Sequence, residues 1–326
     1  MKNIILFSSI LCLAVGCKNF FDTTLELPTP EHTPVLAVTG FINSTATDSI
    51  SVRVGRTYDL FEERPSGSSD ILSGAVVKLY EEGNLFRTFT ETASTNMKYR
   101  AYIDNVFGGV GKEYRLEVAH PDYATVSATQ VMPVPVPLTS VSVREIEDQS
   151  SFEFATGEFT IKWDDPADQE NFYEVVAFRD CYSPLFDDDF NLIFDDEGNI
   201  VTDTFESEVF LNPNNVDPSI ARGIGDGILI SDRTFNGESY GLVLDFSDCQ
   251  TSFFFDEEEE EEQDFDPNYR IAWRTVTKAY FNYSQSLAAN QEGQFNPLAE
   301  PVSVFTNFDN GVGAFCLRTE VIYEVE

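Results

Sequence analysis

The chain has 326 residues, of which 56 are acidic and 20 are Lys or Arg, so its formal net charge is −36 at pH 7. A protein with this net charge repels the phosphates of nucleic acids and anionic lipid headgroups. Nucleic acid is therefore excluded as a partner. Hydrophobic residues make up 42% of the chain, with 29 Phe and 13 Tyr, so it has enough apolar material for one large core or two smaller ones.

The start of the chain has the pattern of a lipoprotein signal peptide. Lys2 gives a positive start, and the apolar stretch 4–15 is too short to span a bilayer as a stable helix. Ala14-Val15-Gly16-Cys17 then resembles the lipobox of bacterial lipoproteins, in which the cysteine sulfur receives a diacylglycerol and cleavage follows before the cysteine. We therefore expect residues 1–16 to be removed and Cys17 to anchor the mature chain in a membrane, outside the cytoplasm. The alternative is an ordinary secretory signal with a coincidental cysteine.

Three cysteines remain once the signal peptide is removed and Cys17 is lipidated. Disulfides persist in an oxidising compartment, and with an odd number at least one thiol stays free. Cys181 and Cys249 both follow predicted strands and lie in polar turns, so we predict that they pair. Cys316 lies in an apolar run, where a cysteine behaves as a small hydrophobic residue.

The N-terminal part of the mature chain is predicted to be a β-sandwich. Residues 17–34 are rich in Thr, Pro and Glu and are predicted to form a tether. From residue 35 the pattern changes to short alternating runs, of which residues 114–118 are the clearest, with apolar and charged side chains on opposite faces. Seven such runs without helical periodicity predict a sandwich domain over residues 35–132. The predicted strands are 35–42, 49–54, 75–80, 85–90, 99–102, 114–118 and 123–128.

A proline-rich segment separates this domain from the rest of the chain. The alternating prolines of residues 133–137 fix φ and remove backbone donors, so they predict a semi-rigid linker. Residues 138–326 are predicted to form a second β-rich domain with one main helix at residues 277–290, where Tyr280 and Leu287 share a face. The fold class is therefore mainly β. The strands predicted in the second domain are 159–163, 172–178, 191–194, 200–204, 228–231, 239–246, 268–276, 302–306 and 314–323.

Catalytic motifs are scarce, and we predict that the protein is not an enzyme. His32 lies in the tether and His120 in a His-Pro-Asp-Tyr turn. The Gly-x-Ser-x-Gly spacing occurs at residues 237–241, but a predicted strand follows it, whereas a nucleophile elbow leads from a strand into a helix. No His or Cys cluster has the short spacing of a zinc site.

Acidic residues in the second domain give a weaker signal. Hard oxygen ligands suit calcium, so Asp187, Asp189, Asp195 and Glu197 are candidate calcium ligands, and calcium is the only cofactor that the sequence suggests. The alternative interpretation is a solvated, self-repelling loop, which is how blocks of like charge usually behave.

Short motifs follow one another along the mature chain in a characteristic order. They include Val38-Thr39-Gly40, Gly111-Lys112-Glu113-Tyr114, Trp163-Asp164-Asp165-Pro166, Asp232-Arg233-Thr234-Phe235-Asn236-Gly237 and Asn307-Phe308-Asp309-Asn310-Gly311. Together these motifs are similar to domain of unknown function 4249, a family of lipoproteins from Bacteroidota.

The resemblance implies a fold, a location and a kind of partner. It implies an Ig-like N-terminal sandwich similar to the regulatory domain of carboxypeptidases, and it supplies no catalytic residues. It also implies an outer-membrane lipoprotein exposed at the cell surface and encoded beside a TonB-dependent transporter, and Lys18 after the lipidated cysteine is compatible with that delivery. We therefore expect a non-enzymatic accessory or ligand-binding partner of such a transporter. The alternative is a calcium-stabilised structural or adhesive surface module.

Overall fold

The computed structural model describes residues 32–59, 62, 70–94, 98–103, 107–146, 156–187, 189–195, 198, 200–213, 217–223, 225, 227–247, 268–294 and 302–325. Over these residues the predicted mainly β class is confirmed, because they form two sheets and a single α-helix. The predicted signal peptide and most of the predicted tether lie outside the described residues.

The N-terminal strands follow the alternation of their side chains. In β7 (Glu113–His120), Tyr114 and Leu116 are fully buried, whereas Arg115 and Glu117 lie on the other face and form an ion pair at 2.6 Å. The alternating pattern therefore fixes which face of each strand is covered. The other strands of this part are β1 (Leu36–Asn43), β2 (Ser49–Arg56), β3 (Val76–Glu81), β4 (Asn84–Thr88), β5 (Thr90–Glu91), β6 (Tyr99–Tyr102) and β8 (Tyr123–Val131).

The C-terminal part adds nine strands and the helix to the described structure. The predicted helix is confirmed as α1 (Lys278–Gln294), which ends later than predicted. The strand predicted at residues 302–306 is wrong, because this irregular segment packs against α1, where Phe305 N–H donates to Ser286 Oγ at 2.8 Å. The strands are β9 (Leu138–Ile146), β10 (Thr156–Asp164), β11 (Phe172–Pro184), β12 (Thr202–Pro213), β13 (Ile220–Arg222), β14 (Ile228–Ser231), β15 (Ser239–Ser247), β16 (Tyr269–Val276) and β17 (Val312–Val325).

Strand β17 joins the two parts of the chain. It runs parallel to β1, from Ala37 opposite Val312 onwards, and antiparallel to β16 on its other side. The larger sheet therefore continues through both parts, in the order β5-β6-β2-β1-β17-β16-β11-β12-β15-β10-β9, with β14 pairing with β11 and β13 with β14. The smaller sheet has the order β4-β3-β7-β8. The domain boundaries at residues 132 and 138 stay a prediction.

The first core lies between the smaller sheet and the β2-β1-β17 end of the larger one. Leu36 and Val52 from the larger sheet pack with Leu79 and Leu116 from the smaller one. Phe315 of β17 belongs to the same cluster and is fully buried. The N-terminal sandwich is therefore completed by a strand from the far end of the chain.

The second core forms because the larger sheet folds over on itself. Strands β10 and β16 lie four positions apart in the sheet order, which would separate them by about 19 Å in a flat sheet. Trp163 on β10 and Trp273 on β16 nevertheless contact each other, with ring centroids 4.8 Å apart. The sheet therefore wraps around these rings, which are both buried.

A third, smaller cluster lies under the helix. Tyr280 and Phe281 of α1 pack with Phe172 of β11, and with Ala314 and Cys316 on the face of β17 opposite Phe315. Strand β17 is thus covered on both faces, which explains its nearly continuous apolar sequence at this point.

We predict that Gly313→Ala strongly destabilises the protein. Gly313 has φ +106°, and a Cβ there would lie 2.0 Å from the carbonyl oxygen of Val38 on the neighbouring strand. The clash and the unfavourable backbone together should lower the free energy of unfolding by about 3 kcal/mol. The matched control is Gly83→Ala, at φ +77° with open space around it, which should cost about 1 kcal/mol. Urea unfolding measures both, and equal losses would contradict the proposed clash.

Candidate functional site

The far end of the β11–β12 hairpin forms a small structure of its own. Beyond the last pair of the two strands, Pro184 opposite Thr202, Leu185 N–H donates to Val201 at 2.9 Å. A third segment lies against both, because Ile193 N–H donates to Leu185 at 3.0 Å and Val201 N–H donates to Ile193 at 2.8 Å. We call the described residues from 185 to 205 the aromatic tip.

Four phenylalanines of the aromatic tip are exposed to solvent. The exposed fraction is 52% for Phe186, 87% for Phe190, 56% for Phe194 and 50% for Phe205. Phenylalanine is among the residues most often buried in proteins, and contiguous exposed apolar patches mark interaction sites. The tip is therefore the strongest candidate for a binding surface in the described part of the chain.

The backbone of Phe190 is unusual as well. Its φ is +64°, in the left-handed region that a bulky side chain rarely adopts. Such a conformation costs about 1 kcal/mol or more, and it persists only where the surroundings impose it. Here the ring of Phe190 is exposed to solvent, so burial of the side chain does not offset the cost of this backbone conformation.

The predicted calcium ligands lie on this tip. Asp187 Oδ1 accepts hydrogen bonds from the backbone N–H groups of Asp189 and Asn191, both at 2.9 Å, and the Asn191 amide donates to the same carboxylate. These bonds, first that from the Asn191 backbone, hold the pKa of Asp187 below its usual range. Asp195 is exposed, and Glu197 lies outside the described residues. No group of three His, Cys, Asp or Glu among the described residues could hold a metal ion, and the calcium site stays a prediction.

The predicted cysteine roles have different outcomes. Cys181 is buried inside β11, close to the aromatic tip and not in a polar turn as predicted, and it is disulfide-bonded. Its predicted partner Cys249 lies outside the described residues, so the pairing stays a prediction. Cys316 is free and buried in β17, as its apolar surroundings predict, and burial raises the pKa of its thiol. Cys17 lies outside the described residues, so its lipidation also stays a prediction.

A buried charge network lies beneath α1. Glu174 on β11 is only 1% exposed, and it accepts hydrogen bonds from Arg274 at 2.8 Å and from Tyr280 at 2.8 Å and 2.9 Å. Arg318 lies 3.6 Å from the same carboxylate, and Arg274 also donates to Glu320 at 2.6 Å. Burial raises the pKa of Glu320, but the hydrogen bond and charge of Arg274 outweigh burial and hold it below its usual range. Both carboxylates are thus satisfied, and the network stabilises the packing of β11, β16, β17 and α1.

Two sequence motifs meet in a second buried polar cluster. Asp165 accepts hydrogen bonds from the Tyr173 hydroxyl and from Gly237 N–H, the latter at 3.0 Å. Asp232 accepts from Asn171 N–H at 2.6 Å and from the Asn236 amide at 3.0 Å. Burial raises the pKa of Asp232 despite the bond from Asn171, and the nearby Asp165 raises it further. These bonds tie the turn after β10 to the turn after β14, a structural role.

The two histidines, His32 and His120, each make a structural contact with a different part of the chain. His32 contacts the Thr57 hydroxyl at 3.1 Å, and His120 contacts the Ser73 carbonyl oxygen at 3.1 Å. His120 Nδ1 also accepts from Asp122 N–H at 3.2 Å, within its turn. Neither contact includes the acid and hydroxyl pair of a hydrolase site.

The described residues include no helix with both the length and the apolar character needed to cross a bilayer.

Comparison with known proteins assigns the chain to a family. The family model described as "Domain of unknown function (DUF4249)" matches residues 22–321. The chain belongs to this family. The DUF4249 resemblance predicted from the motifs is therefore confirmed, and no curated protein matches the chain.

Two solved structures are weakly similar to this DUF4249 chain. A biofilm-associated protein BSP domain is 8% identical with a TM-score of 0.21, and the match covers 91% of this chain and 62% of that one. A biofilm-associated protein B domain is 9% identical with a TM-score of 0.19, and the match covers 89% and 86%. The chain thus spans less than two thirds of the first structure, and neither TM-score supports an argument about fold or function.

We predict that Glu174→Gln lowers the free energy of unfolding by about 3 kcal/mol. The substitution removes the buried anion that Arg274 and Arg318 share. The matched control is Glu170→Gln, which breaks an ion pair with Lys278. The Glu170 side chain is 66% exposed and the Lys278 side chain is 59% exposed. That exposed pair should contribute less than about 1 kcal/mol. Urea unfolding of both variants measures the difference, and similar losses would contradict the role given to Glu174.

A calcium site on the tip predicts a response specific to calcium. Calcium should raise the melting temperature well beyond the rise with magnesium, because binding stabilises by about 2.7 kcal/mol at a hundred times Kd. The difference should disappear in the double variant Asp189→Asn, Asp195→Asn. Equal responses to both ions in the unaltered protein would indicate screening of its net charge instead.

Proposed function

We propose that this protein is a non-enzymatic lipoprotein, anchored in the outer membrane through Cys17, that assists a TonB-dependent transporter by binding a ligand or the transporter itself. The observation that carries the binding role is the aromatic tip, where four phenylalanines that are 50% to 87% exposed lie at the end of one hairpin. Singly exposed apolar residues are normal on a protein surface, but a cluster of this kind marks a contact site.

The sequence supports the anchored location. The short apolar stretch before Ala14-Val15-Gly16-Cys17 suits lipidation, and acyl chains on Cys17 would hold the body at a membrane that its net charge of −36 would otherwise avoid. The proposal of a transporter as the partner rests on what the DUF4249 resemblance implies. Because a shared fold does not fix the function of a protein, this partner needs a direct test. The non-enzymatic role is supported by the structural contacts of His32 and His120.

Purification from the native membrane tests the proposed role. The tagged protein, extracted in mild detergent, should carry a stoichiometric outer-membrane barrel, and mass spectrometry should find acyl chains on Cys17 at the mature N-terminus. Added protease should cleave the protein on intact cells if it faces the outside. The control is Cys17→Ser, which should be released in soluble form and lose the barrel. Recovery of the lipoprotein alone, with no nutrient-dependent growth defect after deletion, would contradict the accessory role.

A further inference from the structure

We infer that the aromatic tip is the contact surface for a second protein whose own surface is basic and apolar, with Arg or Lys side chains among aliphatic ones. The inference names the partner chemistry of the binding role proposed above, and it rests on that role. It follows from three properties of the tip: the exposure of its apolar side chains, the bonding of its backbone groups and the charge of its residues.

The tip offers side chains rather than a strand edge to a partner. Leu185, Ile193 and Val201 donate their backbone N–H groups within the tip, so the three segments bond to one another there. A partner that adds a strand needs unpaired donors and acceptors along an edge. The exposed rings of Phe186 and Phe190 are instead available for side-chain contacts, which points to recognition by apolar and charged side chains.

The charge of the tip selects the sign of the partner. Residues 185–205 contain seven Asp or Glu and no Lys, Arg or His. Asp189, Asp195 and Asp203 are exposed, and each lies within two residues of an exposed phenylalanine in the sequence. A guanidinium group can pair with a carboxylate and stack on an aromatic ring at the same time, so it fits this surface best.

The same arrangement occurs elsewhere in this protein. The guanidinium of Arg115 lies 4.1 Å from the centroid of the Tyr80 ring and pairs with Glu117 at 2.6 Å. At the base of the tip, Arg270 pairs with Asp180 at 2.7 Å and with Glu206 at 2.9 Å. The tip has the same two ingredients, aromatic rings and carboxylates, and its own residues include no cation.

Charge argues against two other occupants. A second copy of the chain carries the same net charge of −36 and would bring acid against acid. The segment 251–262 of the same chain contains three phenylalanines but also seven consecutive acidic residues, so it has the same sign as the tip. A basic partner satisfies both the rings and the carboxylates.

Binding of a defined probe to the full-length mature protein in mild detergent tests the apolar part. The probe is a fluorescent twelve-residue peptide that alternates Arg and Leu, measured by anisotropy at physiological salt with a chelator present. The triple variant Phe186→Ser, Phe190→Ser, Phe194→Ser should weaken binding at least tenfold. The control is the double variant Leu85→Ser, Tyr102→Ser, which removes side chains of similar exposure away from the tip and should change binding less than twofold. Equal weakening by both would overturn the inference.

The acidic part needs its own variants, since a chain of this charge attracts cations everywhere. Asp189→Asn, Asp195→Asn, Asp203→Asn should also weaken binding at least tenfold, and thermal melts should verify that each variant is folded. A control with three exposed acids elsewhere should change binding less than twofold: Asp122→Asn, Glu170→Gln, Glu292→Gln. A peptide with Ser in place of Leu should bind at least tenfold more weakly. If it binds as tightly, the tip is a general polyanion surface and the inference fails.

Two further outcomes would assign the tip to a different occupant. Concentration-dependent dimerisation that the phenylalanine variant abolishes would show that a second copy covers the tip. Deletion of residues 251–262 that strengthens peptide binding tenfold would show that this segment covers it. Each result would overturn the inference.

The test also separates the tip from the transporter role. Tip-dependent peptide binding without recovery of a barrel from membranes supports the contact surface while removing the transporter role. Recovery of a barrel that the phenylalanine variant leaves unchanged supports the transporter role while overturning the contact surface.

Discussion

The parallel pairing of β1 with β17 is the contact on which the rest of the structure depends. Side chains alternate across a strand, so β17 sends Phe315 and Leu317 into the first core and Ala314 and Cys316 under the helix. A shift of the β17 register by one residue would exchange these faces. The hydrogen-bonded registers of β17 with β1 and with β16 both oppose such a shift. The close approach at Gly313 is a consequence, because only a residue without a side chain allows the two backbones to meet there.

The distribution of charge follows from the same packing. The chain has 20 basic residues for 56 acidic ones, and Arg274 and Arg318 are committed to the network around Glu174. A buried carboxylate without a cation would be far more costly than an exposed one, so the interior has the stronger demand for the few cations. The aromatic tip, in contrast, contains carboxylates and no cation of its own.

The local elements could be predicted from the sequence, whereas the long-range contacts could not. Alternation in β7 and the aromatic periodicity of α1 are properties of neighbouring residues, and both predictions are confirmed. Glu174 gave no signal, because within an apolar strand it reads as an ordinary outward position until Arg274 and Arg318 are placed beside it. The exposure of Phe190 was equally hidden, since apolar periodicity assumes that aromatic rings are buried.

Because β17 contributes to the first core, that core can form only after residues 312–325 have been synthesised. Synthesis delivers the N-terminal strands first, but β17, the inner neighbour of β1, is the last of the described strands to emerge. Until then the first core lacks Phe315, and the edge of β1 stays open, which is characteristic of slow folding with high contact order. A chain cut short by a premature stop would therefore lose its N-terminal core along with its end, and proteases could remove it whole. A core built from the N-terminal strands alone would instead leave a folded N-terminal fragment behind.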